Sequence, residues 1–328
     1  MPKNYTLRDF DFELPERLIA QTPASPRDHA RLLVYDRKTK TITDDYFYNL
    51  EKYLPAKSTL VVNNSRVEKC RMQFGKVEIF VLETINPTTI TALVRPGRKF
   101  GLGEVIIEGF KFTVDAIAED GIRTIRLDRT LDDQSFDPHR LTPLPPYIAQ
   151  DESLAEEYQT VYADPLGSKA APTAGLHFTP ELLTNIKKTH DFAEVTLHVG
   201  MGTFAPVKTD EIKDHIMHEE HYSVTSEVAA KLNAAIHTVA VGTTTVRVLE
   251  SAQRPFAEEE GSTAIFITPG YEFKAVASLI TNFHLPKSTL LMLVSAFLGS
   301  VEELHKIYEH AVKENYRFYS FGDAMFIL

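Results

Sequence analysis

Four separated segments of this chain share one pattern, in which an apolar, strand-like run leads into a turn of small and polar residues and then into a helix start. The segments are Ala170–Pro180, Val195–Pro206, Val239–Glu250 and Leu279–Leu290. In an open α/β sheet such turns gather at the carboxyl ends of the strands, where small ligands bind. Three of the four carry a histidine and the other carries an arginine. The pattern therefore predicts an α/β enzyme with its site at one edge of a sheet.

The length of 328 residues is more than most single cores contain, so two domains are expected. After Arg66 the sequence changes to short β-type runs separated by turn dipeptides, and the stiff segment Leu141–Ile148 suits a domain junction. We therefore predict a discontinuous α/β domain with a mostly parallel sheet over residues 1–65 and 151–328. The predicted insert, residues 66–150, is a small all-β, barrel-like domain.

Local signals predict individual elements on either side of this insert. Strands are expected at Leu32–Tyr35 and Thr59–Asn63, and a short amphipathic helix near Pro15–Gln21. Thr179 before Pro180 is a good helix start, and Ser288 and Gly299 bracket an apolar helix. The helix that starts at Pro180 is expected to run to residue 188, and further helices are expected at residues 226–235, 244–251 and 301–314.

Composition limits the classes of function. A net charge of −10 argues against a protein that coats nucleic acid indiscriminately. The stretch from Arg66 to Lys111 nevertheless contains eight Lys or Arg residues and only five acidic residues. Within it, Val94–Lys99 places three cationic residues around a turn. That cluster predicts a basic patch, with a solvated hairpin tip as the alternative.

Other sequence features point to a cytoplasmic protein. The longest apolar run, Thr289–Leu298, is about half the length needed to span a bilayer. The N-terminal residues are charged from the start and lack the apolar core of a signal peptide. The single cysteine, Cys70, cannot form an internal disulfide or a zinc cluster, so a reducing compartment fits.

Two of the four segments carry turns that suit a close approach to a ligand. In Val195–Val199 the alternation places His198 opposite the apolar face, and Gly200 and Gly202 then let the backbone bend tightly. A simple tight turn with a structural histidine is the alternative. The Gly242–Thr245 turn ends a strand at a helix start, where free N–H groups attract anions, and Arg247 can clamp one. A surface salt bridge from Arg247 to Glu250 is equally compatible with the spacing.

The sequence His215-x-x-His218-x-x-His221 resembles a metal-binding cluster. No H-E-x-x-H frame is present, because the histidines that flank Glu219 and Glu220 are three positions apart. Acid–base and hydrogen-bonding roles suit this segment better, and we expect no metal ion. Asn282 and His284 lie in a polar turn after an apolar, strand-like run. Pro286 and the helix cap Ser288 explain the shape of that turn without a function, but they do not explain why Asn and His occur together.

Taken together, many strings along the chain resemble the S-adenosylmethionine:tRNA ribosyltransferase-isomerase family of queuosine biosynthesis. The resemblance covers nearly the whole sequence and rests on residues 11–16, 18–21, 26–28, 31–32, 143–148, 158–162, 170–179, 198–204, 217–222, 242–244, 282–286, 316–318 and 321–325. Ala205 departs from the arginine common in that family, and the insert after Arg71 is shorter than usual.

The resemblance implies an enzyme that moves the ribosyl part of S-adenosylmethionine onto a 7-aminomethyl-7-deazaguanine base at the wobble position of tRNA. The product would be epoxyqueuosine, with adenine and methionine released. It also implies an α/β domain with an inserted β-barrel. S-adenosylmethionine is then a co-substrate, no further cofactor is expected, the partner is the tRNA anticodon loop, and the protein is expected to be a monomer that does not bind membranes.

The resemblance and the chemistry together assign candidate residues. Removal of a proton beside the sulfonium needs a general base, and loss of adenine needs a proton donor. The candidates for these two roles, left undivided between them, are His177, His198, His218, Glu220 and His284. The candidate S-adenosylmethionine contacts are Gly200, Gly202, Thr203, Gly242, Thr243, Thr244, Arg247 and Asn282. An anticodon base is read by stacking on aromatic rings, for which the candidates are Tyr147, Tyr158 and Phe178. The tRNA phosphates are contacted by cations, for which the candidates are Arg66, Arg95, Arg98 and Lys99.

Two other functions remain open from the residues alone. The first is a metal-dependent hydrolase built on His215, His218 and His221. The second is an RNA-binding module without catalysis, which would bind tRNA but release no adenine from S-adenosylmethionine.

Overall fold

The computed structural model describes residues 4–200, 202, 207 and 209–328. Its strands, in chain order, are β1 (Arg31–Asp36), β2 (Thr41–Tyr46), β3 (Thr59–Asn63), β4 (Arg66–Val67), β5 (Arg71–Phe74), β6 (Val77–Asn86), β7 (Thr89–Arg95), β8 (Gly103–Ile107), β9 (Phe110–Ile117), β10 (Arg123–Leu127), β11 (Arg140–Leu141), β12 (Leu166–Ser168), β13 (Asp191–Leu197), β14 (Glu220–Val224), β15 (Thr238–Val241), β16 (Glu259–Thr263), β17 (Ser278–Asn282) and β18 (Ala324–Ile327). Its α-helices are α1 (Pro180–Ile186), α2 (Ser226–Ala234), α3 (Thr243–Ser251), α4 (Thr289–Leu298) and α5 (Val301–Lys313).

Short 3-10 helices connect many of these elements. Within the described residues they are Leu7–Phe10, Glu16–Leu18, Arg27–His29, Phe47–Lys52, Gly97–Lys99, Gln134–His139, Glu152–Leu154, Thr173–His177 and Ile212–Asp214. The chain divides into two compact units, Met1–Arg66 with Pro145–Leu328, and Val67–Leu144. Thr203 and Ala205 lie outside the described residues. None of the described helices is long and apolar enough to cross a membrane.

The larger unit contains a mixed sheet whose described strands lie in the order β16-β14-β13-β3-β15-β17-β18-β1-β2. The central strands β13, β3, β15 and β17 are parallel neighbours. On one flank β14 and β16 are antiparallel, and on the other β18 runs against β17. The prediction of an α/β fold is confirmed, but the prediction of a mostly parallel sheet is wrong. Antiparallel pairings join β16, β14 and β13 on one flank and β17 to β18 and β1 to β2 on the other, and β18 and β1 are parallel to each other. The sheet is therefore mixed.

Both faces of the sheet centre are covered. Alternate residues of β1 and β3 enter two separate apolar clusters, as a pleated strand buried on both faces requires. Val61 packs in the cluster that contains side chains of α2, α3, α4 and α5. Leu60 and Val62 pack in the cluster that contains side chains of α1 and Phe47. The unit therefore has three layers, with the ends of the central strands left free to form a site.

The helices predicted after residue 150 are confirmed, together with the caps that mark them. The Thr179 hydroxyl accepts a hydrogen bond from the Leu182 N–H at 3.2 Å, and Ser288 does the same for Leu291 at 3.2 Å. Gly299 ends α4 with φ +86°, the left-handed conformation that glycine adopts without strain. Local capping chemistry is therefore sufficient to define these boundaries.

The predicted helix near Pro15–Gln21 is wrong, since only a 3-10 turn, Glu16–Leu18, forms there. The backbone instead pairs with a distant segment. The Phe318 N–H donates to the Leu18 carbonyl at 2.8 Å, and the Ala20 N–H donates to the Phe318 carbonyl at 3.2 Å. A helix this short is unstable alone, so long-range backbone pairing overrides its amphipathic pattern.

The smaller unit contains a curled, antiparallel, half-barrel sheet. Its described strands lie in the order β11-β5-β6-β7-β10-β9-β8, and every described pairing between them is antiparallel. Its core is aromatic, with Phe74 lying 5.2 Å from Phe110 and 5.4 Å from Phe112 between ring centroids. The short β-type runs after Arg66 thus form the predicted strands.

Candidate active site

The parallel centre of the sheet determines where a site forms. Because β13, β3, β15 and β17 run in the same direction, their carboxyl ends lie at one edge. A cleft with about 710 Å³ of empty space, including volume open to solvent, lies there. All four segments that share the strand–turn pattern contribute to its lining: residues 170–174, Val199, residues 242–244, and residues 281–285 with Ser288 and Leu290. We call this the edge cleft.

The N-terminus of α3 opens into the edge cleft. Gly242 precedes the helix with φ +89°, a conformation that only glycine adopts easily, and no side chain caps the first turn. Its N–H groups are therefore available to an anion. Thr244 is 9% exposed, and its hydroxyl has no hydrogen-bond partner among the described residues. This end of the cleft combines a partial positive charge with an unsatisfied polar side chain.

Asn282 lies at the end of β17, in the wall of the cleft. Its amide nitrogen donates to the backbone carbonyls of Tyr319 at 2.9 Å and Ser320 at 3.3 Å, which fixes the orientation of the side chain. The side chain is 2% exposed, and its hydrogen bond with His177 raises the pKa of that imidazole. Asn282 therefore joins the end of β17 to the buried ring of His177.

His284 lines the cleft beside Asn282. Its Nε2 atom lies 2.9 Å from the Thr281 hydroxyl, and its backbone N–H donates to the Tyr308 hydroxyl at 3.1 Å. Burial lowers the pKa of His284 to about 3. The imidazole is therefore neutral at pH 7 and held in one orientation.

His177 lies behind this wall, outside the cleft lining, with its ring 5.1 Å from that of Phe47. Its pKa is lowered to about 4, chiefly by burial; a hydrogen bond with the Asn282 side chain opposes this shift, and the nearby Arg317 and Arg27 add to it. His177 is thus a second neutral imidazole next to Asn282.

An aromatic pair forms another part of the cleft wall. The ring of Tyr147 stacks on Tyr319 with centroids 4.4 Å apart, and its hydroxyl lies 2.6 Å from that of Ser320. By contrast, Tyr158 and Phe178 are 0% exposed and lie in the core. Neither presents a ring face to a base in this conformation, because Phe178 packs edge-on against Phe47 and Tyr158 against Phe321.

Arg247 and Glu220 form a buried ion pair away from the edge cleft, with the two residues 5% and 4% exposed. The other Glu220 oxygen accepts the Gly200 N–H at 2.8 Å, and Arg247 also donates to the Thr263 carbonyl at 3.3 Å. The predicted alternative, a salt bridge from Arg247 to Glu250, does not form; Arg254 pairs with Glu250 at 3.5 Å. The pair ties α3 to Gly200 in the turn after Val199.

His198 faces a second depression, on the outer face of the antiparallel strands. Polar side chains from three strands line it: Thr196 and His198, His221 and Ser223, and Glu260 and Ser262. We call this the flank depression. Burial lowers the pKa of His198, and the neighbouring His221 and Lys169 lower it further. The structure therefore brings the turn containing His198 to the edge cleft through Val199 but directs the His198 side chain elsewhere.

The remaining candidates are spread over the surface. His218 is exposed and its ring lies against Gly202. Among the described residues no group of three or more His, Cys, Asp or Glu side chains is placed to hold a metal ion. Arg66 lies 3.8 Å from Glu156, and in the smaller unit Arg95, Arg98 and Lys99 are exposed around the turn at Pro96.

Two residues that line the cleft, Tyr319 and Ser320, lie outside the four segments and are not among the candidate residues. Tyr319 has φ +75°, which is unusual for a residue with a side chain. The signal available in the sequence was the polar, small-residue turn Ser320–Asp323 directly before β18, which resembles the turns of the other four segments.

A sheet with a cleft at the carboxyl ends of its parallel strands is typical of α/β enzymes that bind small molecules at a strand edge. A sequence model of the queuosine biosynthesis protein family matches residues 7–327, and the chain belongs to that family. The resemblance found in the sequence is therefore confirmed.

Curated relatives match the chain from end to end. A protein of Carboxydothermus hydrogenoformans is 47% identical over 341 residues, covering 98% of this chain and 99% of that protein. One of Thermotoga petrophila is 49% identical over 334 residues, with 98% and 99% covered. Both are named S-adenosylmethionine:tRNA ribosyltransferase-isomerase. The crystal structure of an S-adenosylmethionine tRNA ribosyltransferase from Thermotoga maritima is 40% identical, with a TM-score of 0.57 and 98% and 100% covered.

Proposed function

We propose that this chain is an S-adenosylmethionine:tRNA ribosyltransferase-isomerase that acts in queuosine biosynthesis. It would transfer and isomerise the ribosyl part of S-adenosylmethionine onto 7-aminomethyl-7-deazaguanine at the tRNA wobble position, with release of adenine and methionine. The main structural support for this proposal is the edge cleft, because all four predicted segments contribute to its lining. A tRNA substrate also fits the predicted cytoplasmic location.

The uncapped start of α3 suits the methionine carboxylate. Its first-turn N–H groups and the unpaired Thr244 hydroxyl supply hydrogen-bond donors beside the positive end of the helix dipole. Arg247, the other candidate for this contact, is occupied by Glu220. We therefore assign the carboxylate to the Gly242–Thr244 turn and assign Arg247 to holding the turn at Gly200.

The opposite wall suits the nucleoside and the acceptor base. Tyr147 and Tyr319 offer aromatic surface, and the Asn282 Oδ1, which has two lone pairs, can accept a hydrogen bond from an amino group. Such a group is present both on adenine and on the aminomethyl side chain of the acceptor. Asn282 therefore serves orientation, which brings the sulfonium carbon and the acceptor amine together.

The two buried histidines suit proton acceptance. The sulfonium makes the adjacent C5′ protons acidic, and an unprotonated imidazole is the form of histidine that removes one. The pKa of His284, about 3, and that of His177, about 4, keep both unprotonated at pH 7. His284 is the better placed because it lines the cleft.

The basic turn of the smaller unit suits the tRNA backbone. Arg95, Arg98 and Lys99 are exposed within a few positions of one another. Phosphate contacts of this kind supply affinity that falls as salt rises. They set the position of the tRNA without reading its sequence.

The decisive experiment supplies the protein with S-adenosylmethionine and tRNA that carries 7-aminomethyl-7-deazaguanine, and measures free adenine. We expect release of adenine in proportion to modified tRNA. The same tRNA with unmodified guanine at the wobble position is the matched control and should release none. Absence of adenine with the modified tRNA, or equal release with both tRNAs, would contradict the proposal.

A further inference from the structure

Two tyrosines outside the edge cleft are unusually exposed. Tyr46 is 45% exposed and Tyr48 is 43% exposed, and they are the only Phe or Tyr residues of the described chain that count as exposed. Their rings lie parallel, with centroids 5.4 Å apart and planes 5° from each other. The ring of His29 lies 5.2 Å from Tyr48. We call these three side chains the aromatic platform.

The aromatic platform lies at the same sheet edge as the cleft. Tyr46 ends β2, where it pairs with Arg31 at the start of β1. Next to Arg31, Leu32 pairs with Ala324 of β18, and Ala324 pairs with Asn282 at the end of β17. Tyr46 and Asn282 are thus separated by three strand spacings, or about 14 Å at the usual distance between strands.

The backbone that carries the platform is held in place. The Asp45 carboxylate accepts the Tyr46 N–H at 2.8 Å and the Asn49 amide at 2.7 Å, and its other oxygen accepts the Tyr53 hydroxyl at 2.6 Å. These bonds fix the turn between β2 and the following 3-10 helix. A preformed aromatic stack binds with little loss of side-chain entropy.

We propose that the aromatic platform is a stacking site for an unpaired tRNA base that neighbours the nucleotide held in the edge cleft. The proposal rests on the proposed function, which brings an anticodon loop to this edge. Proteins read such loops by stacking splayed bases on aromatic rings, and an exposed tyrosine face accepts any base. The platform would therefore support affinity for the loop and leave the chemistry in the cleft unchanged.

The first test uses fluorescence and does not depend on turnover. The chain contains no tryptophan, so Tyr48→Trp introduces one reporter at the platform. Titration with an unmodified anticodon stem-loop RNA should quench its emission in a saturable way. Ile236→Trp is the matched control, because Ile236 is 80% exposed just before the amino end of β15, at the opposite edge. Equal quenching of the two variants, or none at Tyr48→Trp, would overturn the proposal.

The second test uses the kinetics of adenine release. The double variant Tyr46→Ala/Tyr48→Ala should raise the KM for tRNA by about fivefold to a hundredfold, the loss expected for one stacked base. The KM for S-adenosylmethionine should stay unchanged, and Tyr46→Phe/Tyr48→Phe should behave like the parent because its rings still stack. An unchanged KM for tRNA in the alanine variant would overturn the proposal. If the parent itself released no adenine, the proposed function would fail, and the fluorescence titration alone would decide whether the platform binds RNA.

Discussion

The edge cleft and the flank depression belong to the same sheet, and both contain histidine, yet their surroundings differ. In the cleft, His284 and its neighbour His177 are buried, and burial lowers their pKa values to about 3 and about 4. In the flank depression, His198 shares an open polar surface with His221 and Ser223. His284 and His198 both follow strands of the parallel centre, β17 and β13, but antiparallel pairing with β14 continues to His198, whose N–H donates to the His221 carbonyl at 3.0 Å. The two surroundings therefore differ because of the neighbouring strand and not because of the residue type.

The sharpest test of this comparison pairs two matched substitutions, His284→Gln and His198→Gln. His284→Gln should lower kcat for adenine release by about a hundredfold to ten-thousandfold, the range for loss of a general base. His198→Gln should change kcat by less than about threefold, because its side chain faces outside the cleft. Steady-state kinetics with modified tRNA measures both. Equal losses in the two variants, with unfolding midpoints unchanged, would remove the distinction between the two sites.

The ion pair between Arg247 and Glu220 joins α3, which starts at the edge cleft, to the turn at Gly200. Substitution of Arg247 tests how much this link contributes to stability. Arg247→Met leaves the Glu220 carboxylate buried without its cation, which should lower the free energy of unfolding by about 3–5 kcal/mol. The double variant Arg247→Met/Glu220→Leu should recover most of that loss, because no charge is then left unpaired. Urea unfolding measures both. A single variant as stable as the parent would show that the pair contributes nothing to the fold.

The buried histidines also predict how stability depends on pH. Their pKa values in the folded protein lie below the ordinary value of 6.5, so the unfolded chain binds protons more readily. Their contribution to stability is full above about pH 6.5 and is lost as the pH falls toward about 4. Between pH 7 and pH 5 each should cost about 2 kcal/mol. Urea unfolding at the two pH values should show a smaller loss for His284→Gln than for the parent; an equal loss would contradict the neutral state of His284.

The smallest expected effect concerns the start of α3. Thr244→Val removes the unpaired hydroxyl while keeping the shape of the side chain, and should raise the KM for S-adenosylmethionine by about tenfold. Thr244→Ser keeps the hydroxyl and should stay near the parent. Initial rates at saturating tRNA measure the change. A change in kcat alone would place Thr244 away from the methionine carboxylate.

Much of the local structure could be predicted because its causes are local. Thr179, Ser288 and Gly299 determine helix ends by capping, and the alternation in Val195–Val199 places His198 opposite the apolar face. The pairings that decide which face meets the cleft are not local. β18 lies between β17 and β1, and no nearby residue signals that position.

The same reason explains why some of the predicted site residues do not line the cleft. Tyr158 and Phe178 are aromatic residues in strings typical of the family, but their burial depends on Phe321 and Phe47, which are far away in the sequence. Glu220 and Arg247 are separated by 27 positions, so their pairing could not be read from spacing. The residue types indicated the chemistry, and the long-range packing decided which of them reach the cleft.

The position of β18 has a consequence for how the protein is made. Ala324–Ile327 fills the middle of the sheet, between strands that are synthesised much earlier. Until β18 is in place, β1 with β2 is separated from the six strands that end at β17. The wall of the cleft around Asn282 is therefore completed only when β18 has been synthesised and has paired with β17.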